Sequence, residues 1–262
     1  MKQRIVIGNW KMNTTAEEAV LLVEELKKQA EYVELDVELG VCPPMPWLLA
    51  LNEILDETEI GVGVQDAEPG DFGAQTGSVS IKMIAEHAEY VIIGHSERRS
   101  TGQDNDESIN AKVKSALENS LTPVVCVGEF THLYEKKRVR GRPTKLEEIS
   151  NIFKQLQQAI KGVAEKDIPK LVVAYEPVWA IGTGKPASPE YAAEIIDRLR
   201  TVLKRASKRK LANEARILYG GSVTASNAKS YAELEEIDGV LVGGASLKAS
   251  EFMKIAAAFS RQ

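Results

Sequence analysis

One carboxylate follows a predicted strand and precedes a segment that combines apolar residues with glycines. Glu176 comes after the apolar run Leu171–Tyr175, and Pro177 fixes the direction in which the chain leaves that run. Residues 178–181 are apolar although they should lie in a loop, and exposed apolar residues are costly unless the loop covers something. We therefore interpret Glu176 as a candidate general base at the root of a lid that runs from Pro177 to Ala187. An ordinary strand-to-helix turn is the alternative.

Other residues that could do chemistry also follow apolar runs. His95 comes directly after Tyr90–Gly94, Lys11 follows the first run, and the glycine pairs 220–221 and 243–244 end the last two runs. Backbone N–H groups of such glycines can turn toward an anion, and a lysine adds positive potential. Tight turns for the glycines and a solvent-facing position for Lys11 are the alternatives. Taken together, the set suits proton abstraction next to a carbonyl in a small phosphorylated substrate.

Metal and nucleotide signatures are missing from the sequence pattern. His87 falls near a predicted helix end and His132 in a polar loop, and no cluster of histidines or cysteines has metal-ligand spacing. The run Gly182-Thr183-Gly184-Lys185 is not a phosphate-binding P-loop, because Trp179 stands where the first glycine is required. No Gly-x-Gly-x-x-Gly motif follows a predicted strand either, so the pattern supports neither a metal site nor a dinucleotide site.

These residues need elements that bring them to one place, and short apolar runs alternate with longer amphipathic ones. The predicted strands are Arg4–Gly8, Val37–Cys42, Ile60–Gln65, Tyr90–Gly94, Pro123–Val127, Leu171–Tyr175, Ala215–Tyr219 and Gly239–Val242. The predicted helices are Ala16–Ala30, Pro46–Leu55, Ile81–His87, Asp106–Asn119, Lys145–Lys161, Tyr191–Ser207 and Ser250–Phe259. Eight strands alternating with helices predict a (β/α)8 barrel, with a doubly wound open sheet as the alternative. In such a barrel the carboxyl ends of the strands share one rim, where catalytic groups collect.

Size and charge narrow the class of protein. The chain has 262 residues, 44% of them hydrophobic, and a formal net charge of −5. This length suits one barrel domain over residues 1–262, and no apolar run approaches the ~20 residues of a membrane span. The negative charge disfavours nucleic acid as a partner, and the basic runs Lys136–Arg142 and Lys204–Lys210 are interpreted as a solvated loop and a helix end. Cys42 and Cys126 predict reduced, buried thiols of a cytoplasmic protein, and the strand beginning near residue 4 leaves no room for a signal peptide.

Six motifs in order carry a resemblance to a known family. They are Gly8–Asn13, Val91–Arg99, Val125–Glu129, Ala174–Gly184, Tyr219–Val223 and Leu241–Ser246. The chain resembles triosephosphate isomerase from Arg4 to Phe259, and the resemblance implies the TIM barrel fold of that family.

The resemblance also implies an activity and a set of roles. The expected reaction interconverts dihydroxyacetone phosphate and glyceraldehyde 3-phosphate, without a cofactor or metal. Glu176 corresponds to the family's base and His95 to its neutral imidazole, while Lys11 corresponds to the cation that faces the substrate. Asn9 corresponds to a polar contact and Glu97 to a supporting carboxylate. The groups that hold the phosphate correspond to Gly182, Ser222, Gly243 and Gly244.

The departures from the family pattern fall mainly where the resemblance implies a homodimer. The loop after the third strand carries Gln75 and Ser78 where the family usually has phenylalanine and glutamate. Gln103 replaces a glutamate in the same region, and the segment Phe130–Arg142 is unusual. We expect a weakened but persistent dimer.

Two other functions fit a barrel with this rim. A different phosphosugar enzyme, such as an epimerase, would need another set of acids or metal ligands. A barrel without catalytic activity, which only binds phosphate or serves as a scaffold, is disfavoured because Asn9, Lys11, His95 and Glu176 are all present.

Overall fold

Eight parallel strands form a closed barrel in which each strand pairs with the next and the last pairs with the first. The computed structural model describes residues 2–33, 35–129 and 145–260, with only the backbone of residues 145–149. The strands are β1 (Arg4–Asn9), β2 (Val37–Cys42), β3 (Ile60–Val64), β4 (Tyr90–Ile93), β5 (Thr122–Glu129), β6 (Val172–Pro177), β7 (Arg216–Tyr219) and β8 (Gly239–Val242). The predicted (β/α)8 barrel is therefore confirmed.

Helices surround the barrel. They are α1 (Ala16–Glu31), α2 (Leu48–Leu55), α3 (Ile81–Ile84), α4 (Ser96–Ser100), α5 (Asp106–Glu118), α6 (Lys145–Ala159), α7 (Pro189–Ala206), α8 (Arg209–Glu214), α9 (Ala228–Ala232) and α10 (Ala249–Phe259). Short 3-10 helices lie at Met45–Trp47, Glu165–Lys170, Val178–Ala180 and Gly244–Leu247. In the part of the chain that the structure describes, none of the helices has the length and apolarity that crossing a membrane requires.

The apolar strands are buried on both faces, because one face fills the barrel and the other meets the helices. On β1, Ile5 and Ile7 belong to the cluster inside the barrel, whereas Val6 belongs to the layer between strands and helices. All three are fully buried. A strand covered on both sides needs apolar residues at successive positions, which explains why the predicted strands lack alternation.

Local sequence signals determine where the two longest described helices begin. Thr15 caps α1 in a capping box with Glu18, since each side chain accepts a hydrogen bond from the other residue's backbone. Ser188 caps α7 by accepting from the backbone N–H of Tyr191, and Pro189 occupies the first helical turn. The start of α7 fixes the far end of the candidate lid.

The predicted elements differ from the observed ones in a few places. The helix predicted at Ile81–His87 ends at Ile84, and the one predicted from Pro46 begins at Leu48 after a 3-10 turn. The basic run Lys204–Lys210 covers the end of α7 and the start of α8 rather than one helix end. Both cysteines are buried free thiols, as expected. His132 and the basic run Lys136–Arg142 lie outside the described residues.

Candidate functional site

A cavity of about 650 Å³ opens at the carboxyl ends of the strands. The structure brings eight of the nine predicted site residues to its wall. They are Asn9, Lys11, His95, Glu176, Gly182, Ser222, Gly243 and Gly244. The ninth, Glu97, lies beside the cavity and contacts Lys11. The prediction that the strand ends form one rim of polar groups therefore matches the observed placement.

Glu176 lies near the end of β6 and is buried, with 1% of its surface exposed. Its Oε2 accepts a hydrogen bond of 2.9 Å from the backbone N–H of Ser96, and its Oε1 lies 2.9 Å from His95 Nε2. β5 approaches β6 closely here, because a Cβ on Gly128 would lie 1.8 Å from the carbonyl oxygen of Glu176. A glycine at that position lets Glu176 lie deep in the wall of the cavity.

His95 is positioned by the start of α4, whose N-cap it occupies. Its Nδ1 accepts a hydrogen bond of 3.2 Å from the backbone N–H of Glu97. In the neutral ring the hydrogen therefore belongs on Nε2, which faces Glu176. Burial lowers the pKa of His95 and the Glu176 carboxylate raises it, so that the pKa lies above its ordinary value in this arrangement.

Lys11 reaches the cavity from a left-handed backbone conformation, with φ of 54°. Its N–H donates to Asn9 Oδ1 at 3.1 Å, and its carbonyl oxygen accepts from Gln65 Nε2 at 2.8 Å. These bonds support a conformation that a lysine adopts with difficulty. Lys11 Nζ lies 2.5 Å from Glu97 Oε1, so the carboxylate orients the ammonium group at the cavity edge.

Glycines and a serine from the candidate lid and from the loops after β7 and β8 also line the cavity. Gly243 lies near the Lys11 side chain, since a Cβ built on it would be 3.8 Å from Lys11 Cε. Ser222 Oγ donates to the carbonyl oxygen of Ala180 at 3.0 Å and so connects the loop after β7 to the candidate lid. Gly182 has a φ of 70°, which suits glycine in the exposed part of the lid.

Reasoning from the sequence did not identify two residues that hold the site residues in place. The backbone N–H of Ser96 holds Glu176, and the side chain of Gln65 holds Lys11 in place. Ser96 stands directly after His95, and Gln65 ends the third predicted strand, so their positions at strand ends were a usable signal. Their roles depend on contacts across the barrel rim, which spacing along the chain does not reveal.

Comparisons with known proteins cover the part of the chain that forms the barrel and the cavity. The family model described as Triosephosphate isomerase matches residues 4–259. The chain is similar to a triosephosphate isomerase of Clostridium botulinum (strain Loch Maree / Type A3), with 45% identity over 97% of this chain and 99% of the relative. It is 43% identical to a Clostridium tetani (strain Massachusetts / E88) protein of the same name over 97% of this chain and 96% of the relative. A relative of that name from Herminiimonas arsenicoxydans is 42% identical over 97% of this chain and 98% of the relative.

The matched region contains every element of the barrel and every residue of the cavity wall. The resemblance carried by the six motifs is confirmed, and the chain belongs to the triosephosphate isomerase family.

Proposed function

We propose that this protein interconverts dihydroxyacetone phosphate and D-glyceraldehyde 3-phosphate by proton transfer through an enediolate intermediate. The observation that carries the proposal is the pairing of Glu176 and His95 at 2.9 Å on the wall of a cavity that Lys11 also lines. A carboxylate base and an imidazole within hydrogen-bond reach of one substrate can move both the carbon-bound and the oxygen-bound proton. Family membership supports the same reaction.

In this mechanism Glu176 removes a proton from one carbon and returns it to the neighbouring carbon. The Nε2–H of His95 donates to the substrate oxygens and stabilises the enediolate. Both groups are engaged with each other before substrate binds, and Glu176 also accepts from Ser96. The carboxylate must therefore exchange these partners for the substrate, which leaves His95 free to face the substrate oxygens.

When the Glu176 side chain rotates toward the substrate, the protonation of His95 changes as well. Without the nearby carboxylate, burial of the ring and the Nδ1 bond to the Glu97 N–H both favour the neutral imidazole. The neutral ring carries its hydrogen on Nε2 and can donate it to the substrate oxygens. The proposed role of His95 as a neutral hydrogen-bond donor is consistent with this balance.

We assign the phosphate of the substrate to the part of the cavity that the candidate lid and the loops after β7 and β8 form. The groups that would hold it are Gly182, Ser222, Gly243 and Gly244, whose backbone N–H groups suit an anion. Lys11 supplies positive charge, and Glu97 orients its ammonium group. Asn9 supports the backbone of Lys11 and presents a polar side chain to the cavity.

The reaction needs no cofactor or metal, since proton transfer between adjacent carbons uses only an acid and a base. We test the proposal by assaying purified protein with glyceraldehyde 3-phosphate and following dihydroxyacetone phosphate. Glu176→Gln should lower kcat by at least about 10²–10⁴-fold while the binding of inorganic phosphate survives. A kcat near that of the parent in this variant would contradict the role of Glu176.

We further propose that the chain is a single barrel domain over residues 1–262 and acts as a cytoplasmic homodimer. Exposed apolar side chains in the loops after β1 and β3 and in α3 support the dimer. They are Met12, 96% exposed, Phe72, 78% exposed, and Met83, 52% exposed. Such side chains favour burial against a second copy. The buried free thiols and the net charge of −5 support a cytoplasmic protein that binds neither nucleic acid nor membranes.

A further inference from the structure

Besides Glu176, a buried carboxylate contacts the entry of the candidate lid and takes no part in the proposed chemistry. Glu129, the last residue of β5, is 3% exposed and is not among the residues that line the cavity. Its Oε1 accepts three hydrogen bonds, from Tyr175 Oη at 2.8 Å, Trp179 Nε1 at 2.9 Å and Tyr191 Oη at 2.9 Å. One oxygen atom therefore collects three donors.

The three donors flank the lid along the chain. Tyr175 precedes the base Glu176 on β6, and Trp179 lies in the 3-10 turn with which the lid begins. Tyr191 lies in the first turn of α7, beyond the end of the lid. Glu129 therefore connects the strand that carries the base, the entry of the lid and the helix that follows its exit.

Tyr191 contributes more than a hydroxyl group to this cluster. Its ring meets the ring of Trp179 edge-on, with centroids 6.1 Å apart and planes at 65°. Its backbone N–H is held by the cap residue Ser188, so the side chain projects from a fixed helix start. Tyr191 is 7% exposed, which shields both contacts from water. The side chain thus links the entry of the candidate lid to the start of α7.

The exit of the lid is held separately. The N–H of Ala187 donates to Tyr219 Oη at 3.0 Å, and its carbonyl oxygen accepts from Tyr231 Oη at 2.5 Å. With the exit held there, the freedom of the lid depends on its entry at Trp179. Ser222 Oγ contacts this entry turn through the carbonyl oxygen of Ala180, and the Glu129 cluster contacts it through the side chain of Trp179.

The geometry points to Tyr191 as a positioning residue that, through Glu129 and Trp179, sets how the lid closes over the reacting substrate. This inference rests on the proposed function and adds a residue on α7 to it. Three donors compete for the two lone pairs of Glu129 Oε1. Loss of the Tyr191 hydroxyl changes the hydrogen bond that Trp179 makes and uncouples the lid entry from α7.

The test compares Tyr191→Phe with a matched control. The substitution keeps the ring and its edge contact with Trp179 and removes only the hydroxyl group. Tyr90→Phe is the control, because Tyr90 is also buried and donates to a glutamate, Glu38, at 2.7 Å, but at the opposite end of the barrel. Both variants lose one hydrogen bond to a carboxylate, which is buried for Tyr191 and partly buried for Tyr90, so both should lose some stability.

We expect Tyr191→Phe to lower kcat by about two- to tenfold, the factor that one hydrogen bond represents, with little change in KM. The fraction of turnovers that release inorganic phosphate should rise, because a poorly closed lid exposes the intermediate. In protein labelled with 5-fluorotryptophan, the Trp179 resonance should shift in the variant, while Trp10 and Trp47 serve as internal references. Tyr90→Phe should change none of these readouts.

A Tyr191→Phe variant that loses stability like Tyr90→Phe, but keeps the parent kcat, phosphate release and Trp179 resonance, would overturn the inference. A Glu129→Gln background adds an independent readout, since the kcat effect of Tyr191→Phe should shrink there if Glu129 transmits it. Equal effects in both backgrounds would also contradict it. The fluorine signal needs no turnover, so an inactive parent protein would refute the proposed function without hiding the link between Tyr191 and the lid.

Discussion

Glu176 and His95 restrain each other at the residue scale. The carboxylate is buried, accepts from Ser96 N–H and lies 2.9 Å from the imidazole. A buried carboxylate needs such partners because desolvation of the charge is otherwise costly. In the proposed mechanism, Glu176 gives up these partners when it turns to the substrate. We propose that contacts with the substrate replace these bonds and so release the carboxylate.

The first prediction concerns the pKa of His95. Glu176→Gln removes the carboxylate that raises this pKa and leaves the burial that lowers it, so the pKa should fall. An NMR titration of the His95 ring measures the change. Glu97→Gln is the matched control: its carboxylate also raises the pKa but contributes less than Glu176, so the decrease should be smaller. An unchanged pKa in Glu176→Gln would show that the pair does not interact as described.

Sequence alone predicted the chemical groups of the site better than their support. Glu176, His95 and Lys11 could be found because each follows an apolar run, and strand ends share one rim. The backbone N–H of Ser96 and the side chain of Gln65 could not be assigned, because their partners come from other strands. The Tyr191 hydroxyl is a similar case, since Glu129 precedes it by 62 positions in the chain.

At the scale of elements, the lid is the feature on which the proposed chemistry depends most. Its entry turn at Val178–Ala180 is partly buried, while residues 182–186 are exposed. Gly182 and Gly184 both adopt positive φ. The entry is thus partly buried and the glycine-rich tip is exposed, while closure of the segment over the site stays a prediction.

The second prediction concerns this segment. Deleting part of the exposed tip, residues 182–185, should lower kcat and raise the release of inorganic phosphate. In an open site the electron pair of the enediolate can expel phosphate by breaking the carbon–oxygen bond, whereas a closed lid disfavours that path. Product analysis of isomer against free phosphate gives the ratio. A shortened variant that isomerises at the parent rate without extra phosphate would show that the segment is not a lid.

The third prediction concerns stability and Glu129. Burial raises the pKa of Glu129 to about 7, although hydrogen bonds from Trp179, Tyr175 and Tyr191 oppose the shift. Between the unfolded value near 4.5 and the folded value near 7, the folded protein holds a proton that the unfolded chain has released. This contribution is complete below the unfolded pKa and is lost as pH rises through the folded pKa. Over that window it amounts to about 3 kcal/mol.

Glu129→Gln isolates this contribution because it cannot titrate. The free energy of unfolding of the parent, minus that of the variant, should fall as pH rises from about 5 to about 8. Urea unfolding of both proteins at each pH measures the difference. A difference that stays constant, or that grows with pH, would show that Glu129 titrates near its ordinary pKa.

Most elements could be predicted because short apolar runs for the strands alternate with longer amphipathic segments for the helices. The helices α4, α8 and α9 were missed, since five or six residues show too little periodicity to be separated from a turn. α3 is shorter than expected, because its last predicted residues, Ala85–His87, form a turn. Element type was thus predictable from pattern, whereas short connecting helices depend on tertiary contacts.

At the scale of the whole molecule, barrel closure places residues from opposite ends of the chain side by side. β1 pairs with both β2 and β8, which brings Lys11 next to Gly243. The count of eight strand–helix units predicted a closed barrel rather than an open sheet. The proposed packing of a second copy against the barrel was harder to predict, because the loop after β3 departs from the family pattern at Gln75 and Ser78.

The fourth prediction concerns assembly. The family resemblance implies a homodimer in which the loop around Gln75 and Thr76 packs beside Lys11 of the other copy. Gln75 in place of phenylalanine forgoes about 1.5–3 kcal/mol of apolar burial, and Ser78 in place of glutamate forgoes a charge-assisted bond. We expect a dimer at micromolar concentration whose specific activity falls on dilution. Gln75→Phe should shift the activity loss to lower concentration.

Sedimentation at graded concentrations, run beside the activity assay, measures both properties. If a second copy covers the exposed side chains of Met12 and Phe72 and supports the site, the apparent mass and the activity should fall together on dilution. A fully active monomer would show that the barrel orders its own site without a second copy.

The central claim is proton transfer between adjacent carbons by Glu176, and turnover in deuterium oxide tests it most directly. Protein treated with a chelator is incubated with glyceraldehyde 3-phosphate, and NMR follows both triose phosphates. We predict dihydroxyacetone phosphate with deuterium at the carbon that receives the proton. In Glu176→Gln we predict that glyceraldehyde 3-phosphate persists and that neither the product nor its deuterium label accumulates. Failure of the chelator-treated parent to interconvert the two compounds, or equal labelling by Glu176→Gln, would contradict the account.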